Sequence, residues 1–473
     1  MKWYNLLTGN TRKVFIGPHP CFSFLKITMK NGAYRARGTR LGLVGLGGYA
    51  GHICELLTRR DEGRHAGLQL VAMYVPDPAR HRDRIAELSK QGVRFHDSYA
   101  SLLADDIGGV WLPVPIHLHR SMTEAALERG VAVMCEKPVA ATVEEVRSMA
   151  EASDRTGTPV LVGFQNLYEP ATLELKHALM AARGPRPLHT VVTGGWPRGS
   201  NYYERNGWAG RLCYHDRWVL DGPASNAMAH FINLAAFLIG PTATESAKPV
   251  SIEAELYRAN EIESYDTIST RVCFAGGSTL TATLTHACAR QIEPTVRILG
   301  DNLHAIWRDE SEHIELDIHG KASTLRRNVD PRGAMLRCIA ATAEGGALAT
   351  QPGMPYATIE TSLAQTTIVN GALQAAPIYT LPPSTWHRIT TKHGGTVRAI
   401  HGIEDALTAA SSEGKMLHEL AALAWPVPAS LLDLRGYERF AGPKLSHQPG
   451  PPKPVVTTAP PPPRGRSTRA ATA

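Results

Sequence analysis

The order of apolar and polar positions changes character once along the chain, near residue 165. Before that point, residues 40–44, 68–75, 109–113, 131–135 and 160–164 form apolar runs of strand length. Between them, residues 49–60, 78–90, 98–103 and 119–129 carry helical patterns. The first places Ile53, Leu56 and Leu57 on one face, and the last is stopped by Gly130. A further helix opens at Thr142 and Glu145 with a T-x-x-E capping box and ends at Gly157. Strands alternating with helices of this length predict an α/β domain with a doubly wound parallel sheet over 39–165.

Beyond residue 165 the spacing differs. Residues 188–194 read as a strand, and 196–222, rich in Gly, Trp, Tyr and Asn, as a structured loop. Residues 224–238 read as a helix. Several alternating strands follow over 251–317, with 267–274 and 278–286 as a hairpin across 275–277. Short turns between consecutive strands predict an antiparallel sheet. Helices are expected at 356–375, 402–410 and 415–424. The predicted second domain, 166–443, is therefore α+β. No internal repeat stands out.

Composition adds limits. A chain of 473 residues, 43% hydrophobic and 20% charged, fits a soluble globular protein of two or three domains. No apolar run is long enough to span a bilayer. Gly17, Pro18, His19 and Pro20 interrupt any signal-peptide pattern. The seven cysteines are scattered, with no C-x-x-C pair, which argues against a disulfide framework and points to a reducing cytoplasm. No ligand cluster implies a metal.

The net charge of +7 sits at the two ends. Residues 1–40 hold eight Lys or Arg and no acid, and residues 444–473 hold five and no acid. Without these 13 bases the middle has 37 bases against 43 acids, a net of −6. That distribution argues against a nucleic-acid groove on folded structure. Residues 1–38 are expected to be a poorly ordered basic arm, with Met29 as an alternative start. Residues 444–473, with Pro460 to Pro463 in a row, are expected to be a disordered Pro-rich tail.

The most specific local pattern lies between the first strand and the first helix. Gly45-Leu46-Gly47-Gly48-Tyr49-Ala50 is G-x-G-x-x-A. Gly45 suits a tight turn. Gly47, followed by Gly48, lets backbone approach a pyrophosphate. Ala50 lets helix pack on strand, and the helix N-terminus faces the phosphates. With strand–helix units following, this predicts a Rossmann domain that binds NAD or NADP. The acid that would hold the adenosine ribose is missing from the end of the second strand, where Val75 stands. Asp77 lies two residues on, with Arg80, His81 and Arg82 just beyond, so both cofactors remain admissible.

Two further motifs sit at the expected carboxyl edge of the sheet. Pro115-Ile116-His117-Leu118-His119 is P-x-x-x-H, and Glu136-Lys137-Pro138 follows the fourth strand of the series. A lysine there can approach both nicotinamide and a substrate hydroxyl. His119 also suits a helix-capping role.

The glycine turn, P-x-x-x-H and E-K-P, in that order, resemble the Gfo/Idh/MocA oxidoreductases, the relatives of glucose–fructose oxidoreductase and inositol dehydrogenase. The resemblance is strongest over residues 40–170 and weaker to about residue 380. It implies that Pro115, His119, Glu136 and Lys137 line a cofactor and substrate cleft, with a cis peptide before Pro138. It implies an open, mostly antiparallel second sheet that forms the substrate pocket and often the subunit contact, hence a homo-oligomer. It also places the family's D-x-x-x-H at Asn226 to His230, where Asn replaces the acid and shares one helix face with the histidine. Gln165 and Asn166 are implied near the nicotinamide or the sugar, although Leu167 stands where relatives often place Arg.

The resemblance implies hydride transfer between nicotinamide and a secondary alcohol of a sugar or polyol, with no membrane or nucleic-acid partner. His230 is then the expected base, Lys137 the group that polarises the oxygen, and Asn226 a hydroxyl-orienting residue. The Asn226 substitution keeps a non-catalytic sugar-sensing regulator open, and the fold also serves redox-assisted glycosidases. The aromatic residues Trp196, Tyr202, Tyr203, Trp208, Tyr214 and Trp218 suit sugar stacking or packing equally.

Overall fold

The computed structural model describes residues 39–58, 67–345, 357–390 and 394–445. The basic arm at 1–38, the end of the first helix at 59–60 and the tail beyond residue 445 lie outside the described residues. The first six strands are β1 (Thr39–Val44), β2 (Leu68–Tyr74), β3 (Arg94–His96), β4 (Gly109–Leu112), β5 (Ala132–Cys135) and β6 (Val160–Val162). They form a wholly parallel sheet in the order β3-β2-β1-β4-β5-β6. β4, β5 and β6 are buried at every position, as a sheet covered on both faces requires. The helices are α1 (Tyr49–Thr58), α2 (Arg82–Lys90), α3 (Tyr99–Leu103), α4 (His119–Leu127) and α5 (Val143–Thr156). The Glu145 carboxylate accepts from the N–H of Thr142, closing the expected capping box, and Gly157 ends α5 at φ +63°.

The series continues with α6 (Pro170–Arg183), β7 (His189–Gly195), α7 (Ser200–Glu204), the two-residue strands β8 (Cys213–Tyr214) and β9 (Arg217–Trp218), and α8 (Ala229–Leu238). Seven strands follow: β10 (Pro249–Arg258), β11 (Thr267–Phe274), β12 (Thr279–Thr285), β13 (Ile292–Gly300), β14 (Leu303–Arg308), β15 (His313–Ile318) and β16 (Lys321–Arg326). Next come α9 (Pro331–Gly345), α10 (Ile359–Ala375), β17 (Ile378–Thr380), the hairpin β18 (Trp386–Thr390) and β19 (Thr396–Ile400), α11 (Ile403–Glu413) and β20 (Ser430–Asp433). The second sheet runs β16-β15-β14-β13-β7-β12-β11-β10-β17, with β20 also on β10. It is antiparallel except where β7 joins β12 and β17 joins β10. The expected hairpin is present as β11 against β12. α6 and α9 carry no strong apolar stripe and escape the sequence reading. The helix expected at 415–424 is only a 3-10 turn, Leu417–Glu419. Lys444, at the start of the expected tail, is anchored: its N–H donates to Leu373 O and its ammonium to Ala375 O.

α10 ties the two sheets together. It packs on α5, α8 and β10, and is buried almost all round despite its Thr, Gln and Asn content. Asn370 donates to Ala141 O at 2.8 Å and accepts from Val143 N at 2.9 Å. Gln365 donates to Ala224 O at 2.8 Å. One buried helix therefore fixes the loop after Pro138 and the segment before Asn226, each bond contributing about 1 kcal/mol. Among the described residues no helix is long and apolar enough to cross a membrane.

Lys176 on α6 is fully buried, donates to Phe237 O and Glu245 O at 2.7 and 2.5 Å, and lies over the Phe237 ring. Burial lowers its pKa to about 7. An unfolded lysine keeps its proton to about pH 10.4. Between these values the unfolded state binds more protons, so stability rises with pH. Urea midpoints of the wild-type chain should climb from pH 7 to 9, and Lys176→Met should climb less steeply. Equal slopes in the two proteins would show that Lys176 stays charged in the fold.

Candidate functional site

The loops at the carboxyl ends of β1, β4, β5 and β6 meet the segments after β7 and before α8 around a cleft of about 940 Å³. Its walls include Gly47, Gly48, Tyr49, Pro115, Glu136, Lys137, Gln165, Asn166, Asn226 and His230. Most of the residues singled out by sequence thus come together, at the edge where doubly wound sheets take ligands.

The glycine turn has the expected geometry. Gly45 lies at φ +87°, a region that disfavours any side chain, and its N–H donates to Tyr74 O. Ala50 is buried, and a Cβ on Gly45 would meet the Ala50 methyl at 3.2 Å. α1 then starts at Tyr49 with no acid in its first turn, leaving its positive end toward the cleft. Arg332, at the start of α9, lines the same region with a buried Nε that has no protein partner. The buried Asn166 Nδ2 likewise lacks one. A close-approach turn, a helix N-terminus and unsatisfied donors fit a dinucleotide with an anionic pyrophosphate.

Two residues expected at the cofactor do not line this cleft. Asp77 is on the surface, where its carboxylate pairs with Arg80 at 3.1 Å and does not line the cleft. His119 is buried behind the wall, with Nδ1 2.9 Å from Pro138 O and Nε2 2.9 Å from Val114 O. Its ring pins the P-x-x-x-H and E-K-P loops together, so its contribution is positional. Val75 is buried beside the end of β2.

Lys137 is the centre of the site. The peptide to Pro138 is cis, as the family resemblance implies. The Lys137 amine donates to both oxygens of Asn226, the main-chain O at 2.8 Å and Oδ1 at 2.9 Å. Burial is the main influence on it and lowers its pKa to about 8, against the opposing charges of Glu136 and Asp221. Glu136 is buried, accepts from Trp111 Nε1 at 3.1 Å and from Lys137 N at 3.3 Å, and is pushed up in pKa by desolvation. A Cβ at Gly163 would stand 2.5 Å from its Oε2, which explains the glycine there.

Asn226 and His230 do not share the face of one helix. Residues Pro223–Ala227 form a π-turn, and α8 begins only after a break at Met228. Gly222 before this segment and Pro223 at its first position favour the irregular start. The acid absent from position 226 is supplied by Asp221, which sequence reasoning passed over. Asp221 is buried, accepts from Asn226 Nδ2 at 2.9 Å and from Gly210 N at 2.7 Å, and follows Leu220 at φ +47°. A buried leucine in the left-handed region stores strain next to this site. His230 packs edge-on to Phe164, and its Nδ1 is buried with no protein partner. Burial, then the charges of Lys137 and Arg332, hold it neutral, with a pKa well below the ordinary value.

The aromatic segment divides. Trp196, Tyr202 and Trp208 line the cleft. Tyr203 lines a neighbouring cavity, Tyr214 packs on His117, and Trp218 on Phe440. Arg198, Arg205, Asn206, Asp309 and Arg332 also line the cleft and were not legible as a group.

Residues 39–164 match the family described as "Oxidoreductase family, NAD-binding Rossmann fold", GFO_IDH_MocA. An inositol 2-dehydrogenase of Saccharopolyspora erythraea is 34% identical over 154 residues, 32% of this chain and 44% of that protein. D-apiose dehydrogenase of Paraburkholderia graminis is 23% identical over 269 residues, 56% of this chain and 67% of that protein. The chain thus matches less than half the length of that inositol dehydrogenase. The WlbA dehydrogenase of Bordetella pertussis, solved with NADH and UDP-GlcNAcA, superposes with a TM-score of 0.56 at 20% identity, covering 71% of this chain and 95% of that one. At that identity the likeness is one of fold.

Proposed function

On the match of residues 39–164 to the Gfo/Idh/MocA oxidoreductases, an NAD-binding Rossmann family, we propose that the protein is an NAD(P)-dependent dehydrogenase acting on a secondary alcohol of a sugar or polyol. The relatives named for inositol and D-apiose support this substrate class. When bound, the nicotinamide supplies the site that takes up or gives back the hydride. Gly45 and Gly47 to Ala50 hold the pyrophosphate. Gln165 and Asn166 face the reacting end.

The observation that carries the proposal is the pinning of the Lys137 amine. A neutral amine has two N–H bonds and one lone pair, and Asn226 accepts both N–H bonds. One tetrahedral position remains at a nitrogen that lines the cleft. It holds the lone pair when the amine is neutral and the third proton when it is charged. With a pKa near 8, Lys137 is matched to moving the alcohol proton at working pH. His230 is less suited to be the base, because burial and Lys137 make its imidazolium costly. We assign it a hydrogen bond to the substrate oxygen instead. Asp221 orients Asn226 and keeps Lys137 from losing too much basicity. The free cysteines among the described residues suit a reducing compartment, for which we propose the cytoplasm, and homo-oligomers are expected.

Dinucleotide titration by fluorescence, followed by a screen of sugars and polyols for change in reduced-cofactor absorbance, tests the proposal. Binding without turnover of any substrate would favour a sensor. With a substrate in hand, kcat/KM for oxidation should rise with pH through an apparent pKa near 8. Asp221→Asn should move this limb to lower pH, since the Asp221 charge raises the Lys137 pKa. A limb near 6.5 that vanishes with His230→Gln would return the base role to His230.

A further inference from the structure

We infer that the substrate carries a negatively charged group, a carboxylate or a phosphate ester, held by Arg198 and Arg205. The inference rests on the dehydrogenase reading of the cleft and specifies its substrate. Both arginines line the cleft beside Lys137. Neither takes part in any of the ion pairs among the described residues. The Nε of Arg198 is buried with no protein partner at all. An unpaired guanidinium N–H out of water is costly unless something accepts from it.

The two guanidinium groups are held in place in advance of a ligand. Arg198 lies over the rings of Tyr202 at 4.7 Å and Trp196 at 5.6 Å. Arg205 lies 3.6 Å over the Tyr202 ring as well and 5.3 Å from that of Trp208, and donates to Tyr202 O at 2.6 Å. Stacking fixes the planes and leaves the N–H edges for a planar or tetrahedral anion. Ordering is thereby largely complete before binding.

The rest of the cleft does not neutralise this pair. The lining acids are Glu136 and Asp309. Glu136 is committed to Trp111 and Lys137, and burial pushes its pKa up. Asp309 is pushed up to about 6 by burial. Asp221 accepts from Gly210 N and Asn226 Nδ2, so its charge, which also reaches Arg205, is shared with those donors and with Lys137. The cofactor phosphates have their own cation, because Arg332 stands with Tyr49 and His230, whereas Arg198 and Arg205 stand with Lys137 and Tyr202. Asn206 of the same loop lines both this cleft and a second cavity of about 860 Å³.

Calorimetric titration of the full chain, saturated with dinucleotide, with D-glucose, D-glucuronate and D-glucose 6-phosphate tests this. At least one charged sugar should bind about tenfold or more tightly than glucose at low salt, and the preference should shrink as salt rises. Tighter binding of the glucuronate points to a carboxylate, and of the 6-phosphate to a phosphate. Arg198→Gln and the more exposed Arg205→Gln, each checked for an unchanged melting temperature, should reduce that preference by about tenfold. Equal or undetectable binding of charged and neutral sugars, or a preference that survives both substitutions, overturns the inference. Failure of the dinucleotide itself to bind overturns the dehydrogenase reading instead, so the two failures are told apart in the same titration series.

Discussion

Lys137→Met should lower kcat by about 10³-fold while the dinucleotide Kd changes little, because a positioned acid–base group contributes typically 10²–10⁴. Methionine keeps most of the buried stem and removes the amine. The substitution takes away the donor to Asn226 O and Oδ1 and the positive charge that faces Asp221 and Glu136. His230 would become easier to protonate, since Lys137 is one of the charges that hold it neutral. It would not replace the lost amine, because its burial remains the larger influence. Glycine-turn contacts are untouched, so fluorescence titration should report near-native cofactor binding beside the kinetic loss. Wild-type turnover in a folded Lys137→Met protein would remove the lysine from the chemistry.

What the sequence made legible follows from where the physics is local. The G-x-G-x-x-A turn, the parallel strand series and the Thr142–Glu145 cap depend on spacing within a few residues, and each stands in the structure as expected. Lys137 was legible because E-K-P sits immediately after a buried strand. Asp221 was not, because its value lies in an Asn226 contact made only after Leu220 takes a left-handed turn and the chain enters a π-turn. Arg332 lies on a helix with little amphipathic pattern, remote in sequence from Tyr49. Arg198 and Arg205 were hidden among the aromatic residues that later prove to be their stacking partners. Asp77 and His119 carry contacts the sequence does not show: Asp77 pairs with Arg80 on the surface, and the His119 ring nitrogens lie 2.9 Å from two backbone carbonyls.

Gly45→Val should weaken dinucleotide binding by about 100-fold or more, an amount equal to about 2.7 kcal/mol. Two costs combine. At φ +87° a side chain meets its own backbone, which costs about 1–2 kcal/mol and more for a β-branched residue. The new Cβ also stands 3.2 Å from the Ala50 methyl, packed where α1 crosses β1, so relief requires the turn or the helix to shift. Either movement displaces Gly47, Gly48 and the start of α1, the groups that face the cleft. The bond from Gly45 N to Tyr74 O ties the turn to β2, so the strain is not dissipated by a free loop. Part of the cost will appear as a lower melting temperature, which is why Kd must be measured well below it. A folded Gly45→Val protein that binds NAD and NADP as tightly as the wild type would mean that the pyrophosphate is held by another part of the cleft, leaving Arg332, with its unpartnered Nε, as the group to examine.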